Sequence, residues 1–295
     1  LSSFEALTYQ SALEGIVGQY GPALIQSMMQ QGMTLEQDTA ALPQAANNVL
    51  AQNGGYSLRS NMKGRSYYFG FQVGATYKFM PNLAGYLGVR GTYATCNYNG
   101  AISDIMVAGQ PAMHQLPDGS VHSAEITLNT DQTGFGVTPI IGLDWKINNQ
   151  WNVAAKFEAP TKMSLKNDSE MRTHAEGMSK DPSSVLSQFA DGAKVREDIP
   201  GILTFGVQYS PIERVRLNAA FHEFFDKSAK KYGNKEDLID HNTWELIGGV
   251  EFDACKLVTI SASAQSTHYG LSDAYMNDLS FNNSNNMIGA GLRFN

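Results

Sequence analysis

From Tyr67 to the C-terminus, apolar and polar residues alternate with a period of two. In the segment 67–79, Tyr67, Phe69, Phe71, Val73, Ala75, Tyr77 and Phe79 form one face, and Tyr68, Gly70, Gln72, Gly74, Thr76 and Lys78 form the other. Successive side chains of a strand point to opposite sides, so this spacing predicts a β-strand with one apolar face. The pattern recurs around 86–93, 135–146, 151–158, 203–209, 215–222, 244–252, 258–265 and 288–294, which makes nine strands. Before Gly54 the period is helical: Leu13, Ile16, Val17, Tyr20, Leu24 and Met28 share one face. Residues 1–52 are expected to form two or three short amphipathic helices, broken at Gly21-Pro22 and at Pro43. One of them starts at Thr34, with Gln37 in capping-box position.

Alternation alone also fits a soluble sandwich, so the connections decide between the two. Tight turns around Pro81-Asn82, Asn148-Asn149, Pro211-Ile212-Glu213 and Ala254-Cys255 alternate with long polar excursions at about 98–124, 164–200, 227–241 and 268–284. Short turns at one end and long loops at the other form the outer-membrane pattern. Tyr77, Phe79, Trp145, Trp151, Tyr209, Phe252 and Phe294 fall near the short turns or the C-terminus, and Tyr67, Tyr93, Phe221, Trp244 and Tyr269 fall near the long loops. Two such levels are the interfacial girdles of a membrane barrel. The expected fold is all-β: a transmembrane antiparallel β-barrel over 53–295, preceded by a helical extracellular loop region over 1–52. The place implied is the bacterial outer membrane, with outer-membrane lipid and lipopolysaccharide as surroundings.

Composition supports strands over helices as the spanning element. The charged fraction is 17%, against roughly 25% in soluble domains, and no run approaches the roughly 18 apolar residues a spanning helix needs. A net charge of −7 without a basic cluster argues against a nucleic-acid partner. The short run Lys227, Lys230 and Lys231 is read as a solvated loop face. Cys96 and Cys255 are placed near opposite ends of the barrel, too far apart for a disulfide, and no metal spacing or cofactor motif is present. Residues 1–20 carry Glu5 and Glu14 and no basic stretch, so the chain is expected to begin after an export signal or within the mature protein. Single-chain barrels have an even strand number; nine strands imply further strands upstream, and the 295 residues are not expected to close a pore alone.

Charges on the polar face cannot face lipid cheaply. Lys78, Arg90, Asp144, Lys146, Lys156, Glu158, Arg216, Glu245, Glu251 and Arg293 are therefore read as a lumenal ion network supporting a plug, with His222 part of it. A carboxylate ligand held by one of the basic residues is the sharper alternative. The apolar stripe Leu13, Ile16, Val17, Tyr20, Leu24, Ile25, Met28 and Met29 is a candidate groove for a hydrophobic ligand, its methionines suited to varied shapes. Packing onto the barrel mouth is the alternative for this stripe.

The runs IPGILTFGVQYSPIERVRLNAAFHEFFDKSA and DLIDHNTWELIGGVEFDACKLVTISASAQSTHYGLSDAYMNDLSF, with the closing IGAGLRF, resemble the FadL/TodX family of outer-membrane transporters for long-chain fatty acids and other hydrophobic compounds, especially its Bacteroidetes branch. The resemblance covers roughly 55–295 and implies a monomeric barrel of about 14 strands, of which nine are present here. It also implies a hatch in the lumen, helices in an extracellular capture loop, and insertion by the barrel-assembly machinery. The last strand, with Leu292 and Phe294, fits the signal that machinery reads, although Asn295 stands where an aromatic is usual. The helical segment 1–52 falls where the capture loop is expected. The family's Asn-Pro-Ala hatch tripeptide does not occur, so hatch and first strands are expected upstream. The rivals are a water-filled porin, a haem-related receptor using His222 or His268, and an outer-membrane hydrolase built on Ser266, His268 and Ser272, which lack triad spacing.

Overall fold

The computed structural model describes residues 26, 35–115, 118–171, 179–180, 185–276 and 281–294. The groove candidates Leu13, Ile16, Val17, Tyr20, Leu24, Ile25, Met28 and Met29 lie outside them, as does the Thr34 cap. One long helix, α1 (Leu35–Gln52), is described. It continues through Pro43 without the expected break. Proline removes one helical hydrogen bond, but Ala40, Ala41, Ala45 and Ala46 around it are the strongest helix formers.

The described strands are β1 (Tyr56–Met80), β2 (Leu83–Val107), β3 (Gln110–Pro111), β4 (Met113–Gln115), β5 (Val121–Ser123), β6 (Ile126–Lys146), β7 (Trp151–Glu158), β8 (Ser164–Met171), β9 (Lys194–Arg196), β10 (Ile202–Ile212), β11 (Val215–Phe224), β12 (Thr243–Cys255), β13 (Val258–His268) and β14 (Asn285–Phe294). The main sheet runs β1-β2-β6-β7-β10-β11-β12-β13-β14, so all nine strands read from the alternation pair with their neighbours in sequence order. β1 and β2 are 25 residues long and β6 is 21, against the 9–11 or so that cross a bilayer. Much of the expected excursion at 98–124 is thus strand.

Two compact units divide the chain. The first comprises Leu1–Ser66, Cys96–Asp131 and Asn167–Ala193. Its core is small: Ile102, Ile105, Ile126 and Leu186 are buried together, and Ala46 and Leu50 of α1 pack on Tyr56, Val107 and Ala108. The second comprises Tyr67–Thr95, Gln132–Lys166 and Lys194–Asn295 and holds the other strand segments. Its short turns are tight; at one of them the Asn148 side-chain oxygen accepts from the backbone N–H of Gln150 and Trp151 at 2.8 and 2.9 Å.

Both cysteines are free, Cys96 buried and Cys255 exposed. One irregularity sits beside the site described below. Ile140 pairs with Glu158, yet Thr138, two residues back on β6, bonds Thr161, three residues on. The extra residue falls at Ala159-Pro160, where Pro139 and Pro160 both lack an N–H for the ladder. The bulge switches which residues face inward, so that Thr161 and Met163 are buried against Gly136.

Candidate functional site

The wall of the second unit has two unlike faces. On one, Phe71, Leu87, Phe135, Leu143, Phe205, Leu246 and Ile288 are exposed, Phe71 by 78% and Ile288 by 91%. Water-soluble monomers rarely expose so continuous an apolar face. Aromatic pairs bound it: Tyr77 with Phe79 (5.2 Å between ring centres) and Trp151 with Tyr209 (4.3 Å) near the short turns, and Phe221 with Trp244 (6.5 Å) near the long loops. The opposite face carries the charges and the small residues. The sheet is a transmembrane barrel wall.

On the inward face the expected charges gather in separate clusters instead of one network. Near the short turns, Arg216 donates to Asp253 through both terminal nitrogens at 2.7 Å and to Glu251 through Nε at 3.0 Å. Thr259 donates to Asp253 at 2.7 Å, and Arg293 donates to Thr259 at 3.2 Å. Strand register causes this, since Arg216 is paired with Glu251 and Asp253 with Thr259. Nearer the long loops, Glu245 lies 3.1 Å from His222 Nδ1 and accepts from Gln265 and Thr267 at 3.0 Å. The alternation puts Thr259 and Gln265 on the polar face without giving them a partner, and Asp253 and Thr267 lie just past the strand segments it marks; carrying it two residues past Glu251 finds Asp253.

The third cluster is Arg90, Lys156 and Glu158. Glu158, its side chain 7% exposed, pairs with Arg90 and with Lys156 (2.8 Å), and Lys156 remains 47% exposed. Two cations share one carboxylate, which leaves an excess positive charge facing inward. Asp144 accepts from Asn152 at 2.9 Å. Lys78 and Lys146 form no ion pair among the described residues.

Lys156 borders a cleft of 300 Å³ whose exposed lining surface is mostly apolar, with Ala84, Tyr86, Gly142, Ala154 and Gly206, and which also holds Thr76, Thr204 and Asp144. A larger, more polar concavity of 490 Å³ continues along β10–β13 past Gln208, Asn218, Gly249 and Ser263. The first is the better candidate, because it joins an apolar lining to an available cation. Tyr86 lies over two glycines: a Cβ on Gly74 or Gly88 would overlap its hydroxyl, and that hydroxyl accepts from Gln72 at 3.0 Å. Gly88→Val is expected to push Tyr86 into the cleft and lower stability in a urea titration by about 1–3 kcal/mol. Tyr86→Ala added to it is expected to restore most of the loss.

At the long-loop end of this unit a charged crown is packed around Glu236; of the solvated face expected of Lys227, Lys230 and Lys231, the first two are exposed and only Lys231 is drawn in. Lys230 approaches the fully enclosed Glu236 at 2.8 Å, without hydrogen-bond geometry at that oxygen, and Lys231 pairs with Glu197. Lys227 and Lys230 are both exposed, and the Lys227 ammonium donates to the Asp240 carbonyl at 3.1 Å. Arg196 holds Asp198 through two bonds, the longer 2.8 Å. Lys235 lies 4.4 Å over the Tyr275 ring, and burial pushes the Lys235 ammonium down and the Tyr275 hydroxyl up. This loop order depends on Glu236, whose partners no periodicity reveals.

Ser266 and His268 do meet, at 3.1 Å, but the His268 ring stacks on Trp244 at 4.1 Å and no carboxylate orients it among the described residues.

No family model and no curated protein matches the sequence. Among solved structures the chain is similar to a FadL homologue of Pseudomonas aeruginosa, with a TM-score of 0.49 and 16% identity over 72% of this chain and 52% of that one. It is also similar to the toluene transporter TodX of Pseudomonas putida, with a TM-score of 0.43 and 14% identity over 79% and 61%. A third similarity is to the outer membrane channel DcaP of Acinetobacter baumannii, with a TM-score of 0.33 and 10% identity over 76% and 61%. The chain spans about half the length of the first of these.

Proposed function

We propose that the protein carries hydrophobic compounds across the bacterial outer membrane as a FadL/TodX-type transporter, and that its ligands include long-chain carboxylates. The observation that carries this reading is the apolar cleft beside Lys156 on the inward face of a wall whose other face is apolar. Such a cleft suits an alkyl chain, and the excess cation suits a carboxylate head. The stripe from Leu13 to Met29 is the proposed capture groove outside the membrane, with the protein acting as a monomer. The crown at the long-loop end is then extracellular, and the short turns are periplasmic.

Binding of a fluorescent long-chain fatty acid to the detergent-purified full chain tests the reading. Lys156→Gln is expected to weaken binding about tenfold, the loss of one charge-assisted pair. Ala154→Phe, which fills the cleft, is expected to abolish it, and Ile16→Lys is expected to slow capture. Wild-type affinity in Lys156→Gln and Ala154→Phe together overturns the assignment of the cleft. Liposomes containing the protein are expected not to swell in small sugars; rapid swelling identifies a water-filled porin instead.

A further inference from the structure

On the inward face of β7, β10 and β11, strand register sets three rows of side chains across the wall, all within the second unit. The row nearest the long loops holds Lys156, Thr204 and His222; the middle row holds Ala154, Gly206 and Ala220; the row nearest the short turns holds Asn152, Gln208 and Asn218. The middle row has only the smallest residues, and a Cβ on Gly206 would meet nothing nearer than the Ala219 carbonyl oxygen at 3.9 Å. Open space therefore lies over it. Ala154 and Gly206 border both the cleft beside Lys156 and the larger concavity that contains the three amides, so the two form one continuous trough.

The amides at the end of this trough are short of partners. Asn152 donates to Asp144, Gln208 reaches the Ser210 hydroxyl only at 3.5 Å, and the Asn218 side chain makes no hydrogen bond among the described residues. Asn152 stands four residues from Lys156 along β7, about 13 Å at the rise of a strand, which is the length of roughly ten methylene groups. A carboxylate at Lys156 with its chain laid over Ala154 and Gly206 therefore meets the amides in mid-chain. The side chains of the middle row offer water no partner, so the trough suits an alkyl chain there. At the amide row the preference changes. A plain alkyl chain strips water from Gln208 and Asn218 and returns no hydrogen bond, which weakens binding. A hydroxyl or keto oxygen at that point replaces the lost water, because an amide side chain both donates and accepts.

We infer that Gln208 and Asn218 form an oxygen-binding subsite, and that the preferred ligands are long-chain acids carrying a hydroxyl or keto group roughly ten carbons from the carboxylate. The inference rests on the ligand class proposed above and narrows it. Detergent-purified full chain is titrated calorimetrically with stearate, with stearate hydroxylated at its tenth carbon, and with stearate hydroxylated at its second. The tenth-carbon acid is expected to bind about fivefold tighter than stearate, the gain of one hydrogen bond over a bare chain. The second-carbon acid is expected to bind no tighter than stearate. Gln208→Met with Asn218→Leu keeps the side-chain volumes and removes the amides. It is expected to reverse the order, since stearate then lies over apolar side chains and the hydroxyl is the group left without a partner. Lys156→Gln is expected to weaken all the acids alike and leave their order intact. Equal affinity for stearate and the tenth-carbon acid, the same gain from the second-carbon hydroxyl, or a preference that survives the loss of both amides overturns the inference while the transport reading stands. Absence of binding by every one of these acids overturns both.

Discussion

Phe205→Arg is expected to prevent stable folding in lipid, while Gln208→Arg, three residues away on the same strand, is expected to be tolerated. Phe205 lies on the outward face of β10, 51% exposed, about midway between Tyr209 near the short turn and the Gly201 end. Arginine at the middle of the lipid face of a barrel costs about 2–4 kcal/mol, which is about 30- to 800-fold in the folding equilibrium. Gln208 faces inward, beside Asn218 and Asn152 of the paired strands, where a guanidinium finds water and amides. The contrast is decisive because the same substitution has the opposite outcome in a water-soluble sheet. There, replacing a half-exposed phenylalanine by arginine moves stability by no more than about 0.5 kcal/mol. Unfolding in urea from lipid vesicles, read by the shift in gel mobility of the folded form, gives both numbers. Equal stability of the two variants removes the membrane assignment.

The asymmetry between faces is also why the nine strands were legible without the structure. Lipid admits only apolar side chains on one side, so Phe69, Phe71 and Val73 or Val258, Ile260 and Ala262 mark a strand as a water-bathed sheet does not. Beyond the lipid that constraint is lost. The upper half of β2 carries Asn97, Asn99 and Ser103 outward, and its buried set changes parity from Ala94, Cys96 and Ile102 to Ile105 across Asp104, whose φ is 50°. A period-two pattern broken by such a residue reads as a loop, which is why 98–107 has the look of an excursion and yet is strand. The inward charges were placed on the right face by alternation, but their partners depend on register between strands, which one strand's pattern does not contain. Arg216 finds Asp253 as well as Glu251 because the two acids are neighbours on the same face of β12. The crown lies furthest from legibility, because the burial of Glu236 comes from loop packing with no period at all.

Lys230→Ala is expected to invert the pH dependence of that crown. In the wild type, burial opposes the charge on Glu236, yet the Lys230 ammonium and the Lys231 backbone N–H, which donates to it at 2.9 Å, outweigh burial and hold the carboxyl below its ordinary range. A carboxyl depressed on folding adds stability that is complete above its unfolded value of about 4.3 and is lost as pH falls through the lower folded value. The wild-type loop over 225–242 is therefore expected to resist protease at pH 7 and to weaken only in strong acid. Without Lys230 the enclosed carboxylate keeps its desolvation and loses its compensating charge. Its folded value then rises above the ordinary one, and the loop is stabilised by protonation instead. Limited proteolysis at pH 7 is expected to accelerate on the order of tenfold in Lys230→Ala, to slow again towards pH 5, and to return to near wild-type rates at pH 7 when Glu236→Gln is added. A Lys230→Ala crown with unchanged proteolysis from pH 7 to pH 5 would mean that water reaches Glu236 and that the pair is no more than a surface contact.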